Sequence, residues 1–207
     1  MKNFNTYISE KLKITKSKLN NNHNGHEYVD LDLPSGTLWA KCNVGADEEY
    51  DYGNYFAWGE TKPKKVYANS TYQFNNSQAK ELEPEDDAAH VNMGGKWCIP
   101  TEKQFKELFE NTENNWVNNY SDTNIDGILF TSKNGNTLFF PANGKSANEI
   151  LANTKTTCML WANEAMNTSH NKSSIAKCTI IQKALPGYFA NGEFKYHGLG
   201  VRGVFKK

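Results

Sequence analysis

The segment Asp87-Ala-Ala-His-Val-Asn-Met-Gly-Gly-Lys-Trp-Cys-Ile-Pro-Thr-Glu-Lys-Gln-Phe-Lys-Glu-Leu-Phe109 constrains the fold more than any other. Thr101 follows a proline and precedes Glu102, and Phe105, Leu108 and Phe109 recur at the spacing of a helix with one buried face. Thr101 is therefore the expected N-cap. Gly94-Gly95 supplies a turn that a side chain would obstruct, and Trp97 just beyond it is expected to plant its ring in the core. His90 falls ahead of the helix and reads as a packed or hydrogen-bonded residue, not a base.

Period-two patterning marks the strands. Residues Glu27 to Leu33 read as a first strand closed by Pro34-Ser-Gly36, and Thr37 to Asn43 as a second with Trp39 facing inward. Gly127 to Lys133 and Thr137 to Pro141 flank Asn134-Gly-Asn136, a strong hairpin signal. Thr156 to Asn163, Ile175 to Gln182 and Val201 to Phe205 supply the rest. Residues 60–88 read as a long polar loop ending in the acidic run Glu81, Glu83, Glu85, Asp86 and Asp87, a solvated surface. The expected class is α+β, with small, mostly antiparallel sheets, two short helices, long loops and one core. Five Trp, ten Tyr and eleven Phe among many Asn and Gly suit that class better than a helical bundle.

The 207 residues divide into an appendage, 1–24, and a domain, 25–207. In the appendage Phe4, Ile8 and Leu12 recur every four residues with Tyr7 alongside, which gives a short amphipathic helix one narrow apolar stripe. So short a helix is marginal alone and needs a surface to dock on, in this chain or another. Asn20 to Gly25 reads as a linker.

Lys plus Arg and Asp plus Glu balance at 23 each, so no global field draws the chain to nucleic acid or an anionic membrane. No apolar run reaches the roughly 18 residues of a membrane helix, and the polar amino terminus is not that of a secretory signal peptide. Cys42, Cys98, Cys158 and Cys178 form no Cys-x-x-Cys pair and are expected reduced, with a Cys158–Cys178 bridge as the alternative. The five histidines show no metal spacing. Asp122 to Gly127 begins like a calcium loop, but its twelfth position is Lys133 where a bidentate Glu is required. The expectation is no cofactor, no metal and no catalytic residue.

Several motifs in order carry a resemblance: Gly25-His-Glu-Tyr-Val-Asp-Leu-Asp-Leu-Pro-Ser-Gly-Thr-Leu-Trp39, Tyr52-Gly-Asn-Tyr-Phe-Ala-Trp-Gly59, the Trp97 segment, Asn134 to Gly144, and Gly198-Leu-Gly-Val-Arg-Gly-Val204. Together they resemble the Fibrobacter succinogenes major paralogous domain family. The resemblance implies a C-type-lectin-like fold related to formylglycine-generating enzymes and to the variable proteins of diversity-generating retroelements. It covers about residues 25–205 and implies that Trp97 and Arg202 are architectural. The formylglycine-generating relatives carry a cysteine pair near their carboxyl end that is not found here. Glu83-Pro84-Glu85 and Trp161-Ala162-Asn163 do not match the motifs of calcium-dependent lectins.

Where relatives carry Trp-Ser-Ser-Ser, this chain has Trp161-Ala-Asn-Glu164. By the resemblance, a ligand face lies between this Trp and the final Gly-x-Arg, drawing on Asn163, Glu164, Asn167, His170, Asn171, Tyr188, Phe189, Asn191, Tyr196 and His197. The leader Met1 to Ile14 is similar to short amino-terminal tags of tailed-phage virion proteins. The implied function is a non-enzymatic virion structural protein, a head fibre or capsid decoration, with a binding domain for a glycan or protein receptor. Its partners would be other virion proteins or itself, through the leader. The alternatives are a carbohydrate-binding or adhesion module on a bacterial surface and an enzyme of the formylglycine-generating type.

Overall fold

A computed structural model describes residues 21–76, 79–166, 174–187 and 190–207. Twelve strands and two α-helices are seen among them. The first sheet joins β1 (Asn22–His23), β2 (His26–Val29), β3 (Thr37–Asn43) and the last strand, β12 (Arg202–Lys206), in that order. A second runs β4 (Glu113–Val117), β5 (Gly127–Thr131), β6 (Thr137–Pro141), and β7 (Lys145–Ala147) forms a two-stranded ladder with β8 (Ile150–Ala152). The remaining sheet is β11 (Ala190–Phe194), β10 (Ile175–Gln182), β9 (Thr157–Ala165). All ladder pairings are antiparallel. This is the α+β class expected, with small antiparallel sheets and few helices.

Helix α1 (Ala88–Met93) and helix α2 (Glu102–Asn111) flank the Trp97 turn. Thr101 caps α2 by accepting from the Gln104 N–H, and the Gln104 side chain reaches back to the Thr101 N–H, so two orphan donors are satisfied together. Asp87, the last of the acidic run, is buried: its two oxygens accept from the His90 and Ile99 N–H groups, capping α1. Burial pushes its carboxyl pKa up, against those hydrogen bonds. His90 lies within α1, not ahead of a helix, and its Nδ1 meets the Trp97 carbonyl at 3.1 Å.

Two apolar clusters take the place of the single core expected, because β3 and β9 are buried on both faces. Leu38, Ala40, Met159 and Trp161 point into one cluster, with Phe56, Trp58, Met93 and Trp97. Trp39, Cys158, Leu160 and Ala162 alternate into the other, with Phe105, Leu108, Phe130 and Phe140. Trp39, Trp97, Phe105, Leu108 and Trp161 are all buried as expected. The same alternation separates two thiols: Cys158 pairs with Ile181 and Cys178 with Trp161, an offset that puts them in different clusters, and both are free.

Three features differ from the sequence reading. The first strand stops at Val29, because Asp30 accepts from the Asp32 N–H and Asp32 turns to φ +53°. Leu31 and Leu33 are buried without joining a ladder, which imitated strand alternation. The supposed linker contributes β1, joined to β2 by Asn24-Gly25 with both φ positive. His23 stacks on Phe205 at 4.5 Å, and its carbonyl accepts from Trp97 Nε1, so this residue packs onto the first sheet. The stretch after residue 60 is also anchored, with Tyr67 and Leu82 buried, Tyr67 bridging to Asn148, and Tyr72 donating to the Trp58 carbonyl. The expected leader helix, with Phe4, Tyr7, Ile8 and Leu12, lies outside the described residues.

Trp97 stands between α1, β1 and β12, edge-on to Phe205 at 4.7 Å, and a Cβ on Gly203 would come within 3.1 Å of its ring. Trp97→Ala is therefore expected to cost about 3–5 kcal/mol, read from urea unfolding midpoints. A cost under about 1 kcal/mol would show the site collapsing without strain.

Candidate ligand-binding face

Edge strand β11 and the turn after it build an aromatic step. The His197 N–H donates to the Phe194 carbonyl at 2.9 Å, closing a four-residue turn, and Gly198 pairs with Ser146 so that β7 lies alongside. Phe194 is 39% exposed, a large fraction for such a side chain. Its ring lies nearly parallel to Tyr196, with centroids 5.1 Å apart and planes at 15°, and His197 stands edge-on to both rings.

A charged cluster fixes this step from below. Glu193 receives Lys145 Nζ on one oxygen at 2.6 Å and His197 Nδ1 on the other at 2.9 Å, and that second oxygen also accepts from the Phe194 N–H. All three side chains are mostly shielded from water. Burial raises the Glu193 pKa, but the His197 and Lys145 hydrogen bonds outweigh it and hold the carboxyl at about 2. Lys195, between the two stacked aromatics in sequence, turns inward and is buried, its Nζ 4.4 Å over the Trp58 ring with no hydrogen-bond partner among the described residues. Burial lowers its pKa. Its backbone is tied on both sides, donating to the Ser174 carbonyl and accepting from the Trp58 N–H.

The structure divides the residues that the resemblance assigned to a ligand face. Tyr196 and His197 meet in the turn after β11, and Asn191, which is exposed, lies on β11 itself. Asn163 and Glu164 lie on β9, two strands away and so about 10 Å off. Both are engaged internally: Asn163 Oδ1 accepts from the Leu82 N–H, and the Glu164 carboxylate accepts from the Glu102 N–H at the start of α2. Asn167, His170, Asn171, Tyr188 and Phe189 lie outside the described residues. Sequence reasoning missed Lys145, Glu193 and Phe194. The i, i+4 pair Glu193 and His197 framing two aromatics was the available signal.

Two concavities of about 620 and 610 Å³ lie elsewhere, one bordered by Lys41, Cys42 and Asn92 and one by Glu60, Lys64 and Phe74. At their walls Lys41 is paired with Glu27 and Lys64 with Glu60. In the Asp122 to Gly127 turn, Asp126 accepts from the Asn119 N–H and pairs with Lys183 at 3.0 Å, so its oxygens serve the turn. Among the described residues no group of three or more His, Cys, Asp or Glu could hold a metal ion.

The Glu193 cluster makes acid stability readable. Because the folded pKa of about 2 lies below the ordinary 4.5, its contribution is complete above about pH 4.5 and is lost as pH falls through 2. Lys145 and His197 are the titratable groups bonded to it. Urea titrations should show on the order of 2–3 kcal/mol lost over that window beyond what Glu193→Gln loses. Equal losses in the two proteins would mean the cluster does not form.

No family model, no curated protein and no solved structure matches this chain, so the face rests on its own geometry.

Proposed function

We propose that this chain is a non-enzymatic structural protein of a tailed-phage virion, a head fibre or capsid decoration, whose C-type-lectin-like domain displays a binding face to the host. The observation that carries the binding role is the exposed Phe194 ring, held flat by Tyr196, edge-on by His197 and from beneath by the Glu193 cluster. A rigid exposed aromatic on a fixed strand end offers contact area at small entropic cost. The lectin-like reading is supported by the motif residues Trp97, Trp161 and Arg202, all fully buried, and by the first and last strands sharing a sheet. The leader's similarity to virion tags supports the particle.

The placement of the thiols speaks against chemistry of the formylglycine-generating type. Cys158 and Cys178 point into separate apolar clusters, and burial pushes both thiols up, which suppresses the nucleophilic thiolate. Cys98 is likewise pushed up to about 11 by burial.

In this reading Phe4, Tyr7, Ile8 and Leu12 anchor the subunit, each large apolar side chain contributing about 1.5–3 kcal/mol before ordering costs. Deleting residues 1–20 should leave the melting temperature of the domain unchanged and abolish its incorporation into particles or oligomers, followed by light scattering. A truncated chain that unfolds while the intact chain stays monomeric would place the leader in the domain core and remove the support for the virion.

A further inference from the structure

The chemistry of the β11 face narrows its ligand beyond the display role, on which this inference rests. We infer that the face takes a neutral pyranose glycan, with the apolar side of one sugar ring lying on Phe194 and a sugar hydroxyl donating to Nε2 of His197.

Three observations combine. Tyr196 covers one side of the Phe194 ring in a near-parallel stack, so the 39% exposure of Phe194 leaves its other side as the platform. The face of an aromatic ring carries partial negative charge and accepts the weakly positive C–H groups on the apolar side of a pyranose. The His197 tautomer is also set: Glu193, an ionised carboxylate, can only accept, so His197 Nδ1 carries the hydrogen. On an imidazole whose hydrogen sits on Nδ1, Nε2 is the acceptor, and no hydrogen bond to it is seen among the described residues.

Charge selects the ligand further. Lys145 and Glu193 neutralise each other, and Lys195 is buried against Trp58. No unpaired cation of this cluster faces outward to receive the carboxylate of an acidic sugar, and one brought beside Glu193 would be repelled. The apolar step bordered by one acceptor suits an uncharged ring with hydroxyls. Lys145 and Glu193 act as positioning residues, holding the imidazole without touching the sugar.

The test is a glycan array of neutral, sialylated and uronate-bearing glycans probed with the full chain, followed by titration calorimetry on the best ligand. Neutral glycans should bind with little dependence on salt. Phe194→Ala should weaken binding roughly tenfold or more without changing the melting temperature, and Phe194→Trp should retain it. Glu193→Gln should weaken binding less and shift its pH profile, which a purely structural role would not do. Preference for acidic glycans, or no glycan bound, would overturn the assignment. If host attachment is lost on protease treatment of the cells and is still blocked by Phe194→Ala, the glycan fails while the display reading stands. Attachment indifferent to Phe194→Ala overturns both.

Discussion

The guanidinium of Arg202 is buried completely, no carboxylate among the described residues pairs with it, and the arrangement of the sheets follows from how it is satisfied. It donates to Asn43 Oδ1, to the carbonyls of Ala40 and Lys41, and to the carbonyl of Phe139, while Phe140 lies 4.9 Å from its centre. The β3–β12 ladder slips at this point: Ala40, Lys41 and Cys42 stand opposite the single residue Gly203. That bulge frees carbonyls that the ladder would have used, and the arginine fork fills them. Burial lowers its pKa to about 10, which still leaves it charged at neutral pH. A buried cation solvated by backbone dipoles fixes three segments at once, because misplacing any of them strands the charge.

From that anchor the chain runs back to the exposed face along a strip pinned at nearly every residue. Gly200 accepts from the Trp161 N–H, Leu199 exchanges hydrogen bonds with Phe56, Gly198 with Ser146, and Lys195 accepts from Trp58. The two tryptophans cross-brace it, Trp161 Nε1 donating to the Phe56 carbonyl and Trp58 Nε1 to Ala162. Tyr196 and His197 project from a segment whose backbone has little freedom. The aromatic step is thus pre-organised by the core, the condition under which a small exposed surface binds usefully.

Legibility in the sequence followed the strength of local signals. Thr101, Phe105, Leu108 and Phe109 announced α2 because a cap and a helical stripe coincide, and Asn134-Gly-Asn136 announced β5 and β6. Strands β4, β7, β8 and β11 carry little local signal, since they are short or polar and lie at sheet edges. Asn24-Gly25 carries the same hairpin chemistry as Asn134-Gly135 but was absorbed into an asparagine-rich run. Asp87 is indistinguishable from its acidic neighbours in sequence, because nothing local separates a buried cap from a solvated carboxylate. At the face, Tyr196 and His197 were named, but the contact that orients them joins Lys145 to Glu193, 48 residues apart. No spacing rule sees that pair.

The most direct measurement of the central claim is the unfolding free energy of Arg202→Met and Arg202→Lys, read by urea titration with both tryptophan fluorescence and far-ultraviolet dichroism. Methionine fills similar volume but strands the carbonyls of Ala40, Lys41 and Phe139, and lysine has one point charge where the fork makes four bonds. Both variants should lose about 3–5 kcal/mol or fail to fold, with lysine no rescue. If either variant unfolds within about 1 kcal/mol of the parent, Arg202 is not what holds the sheets in register.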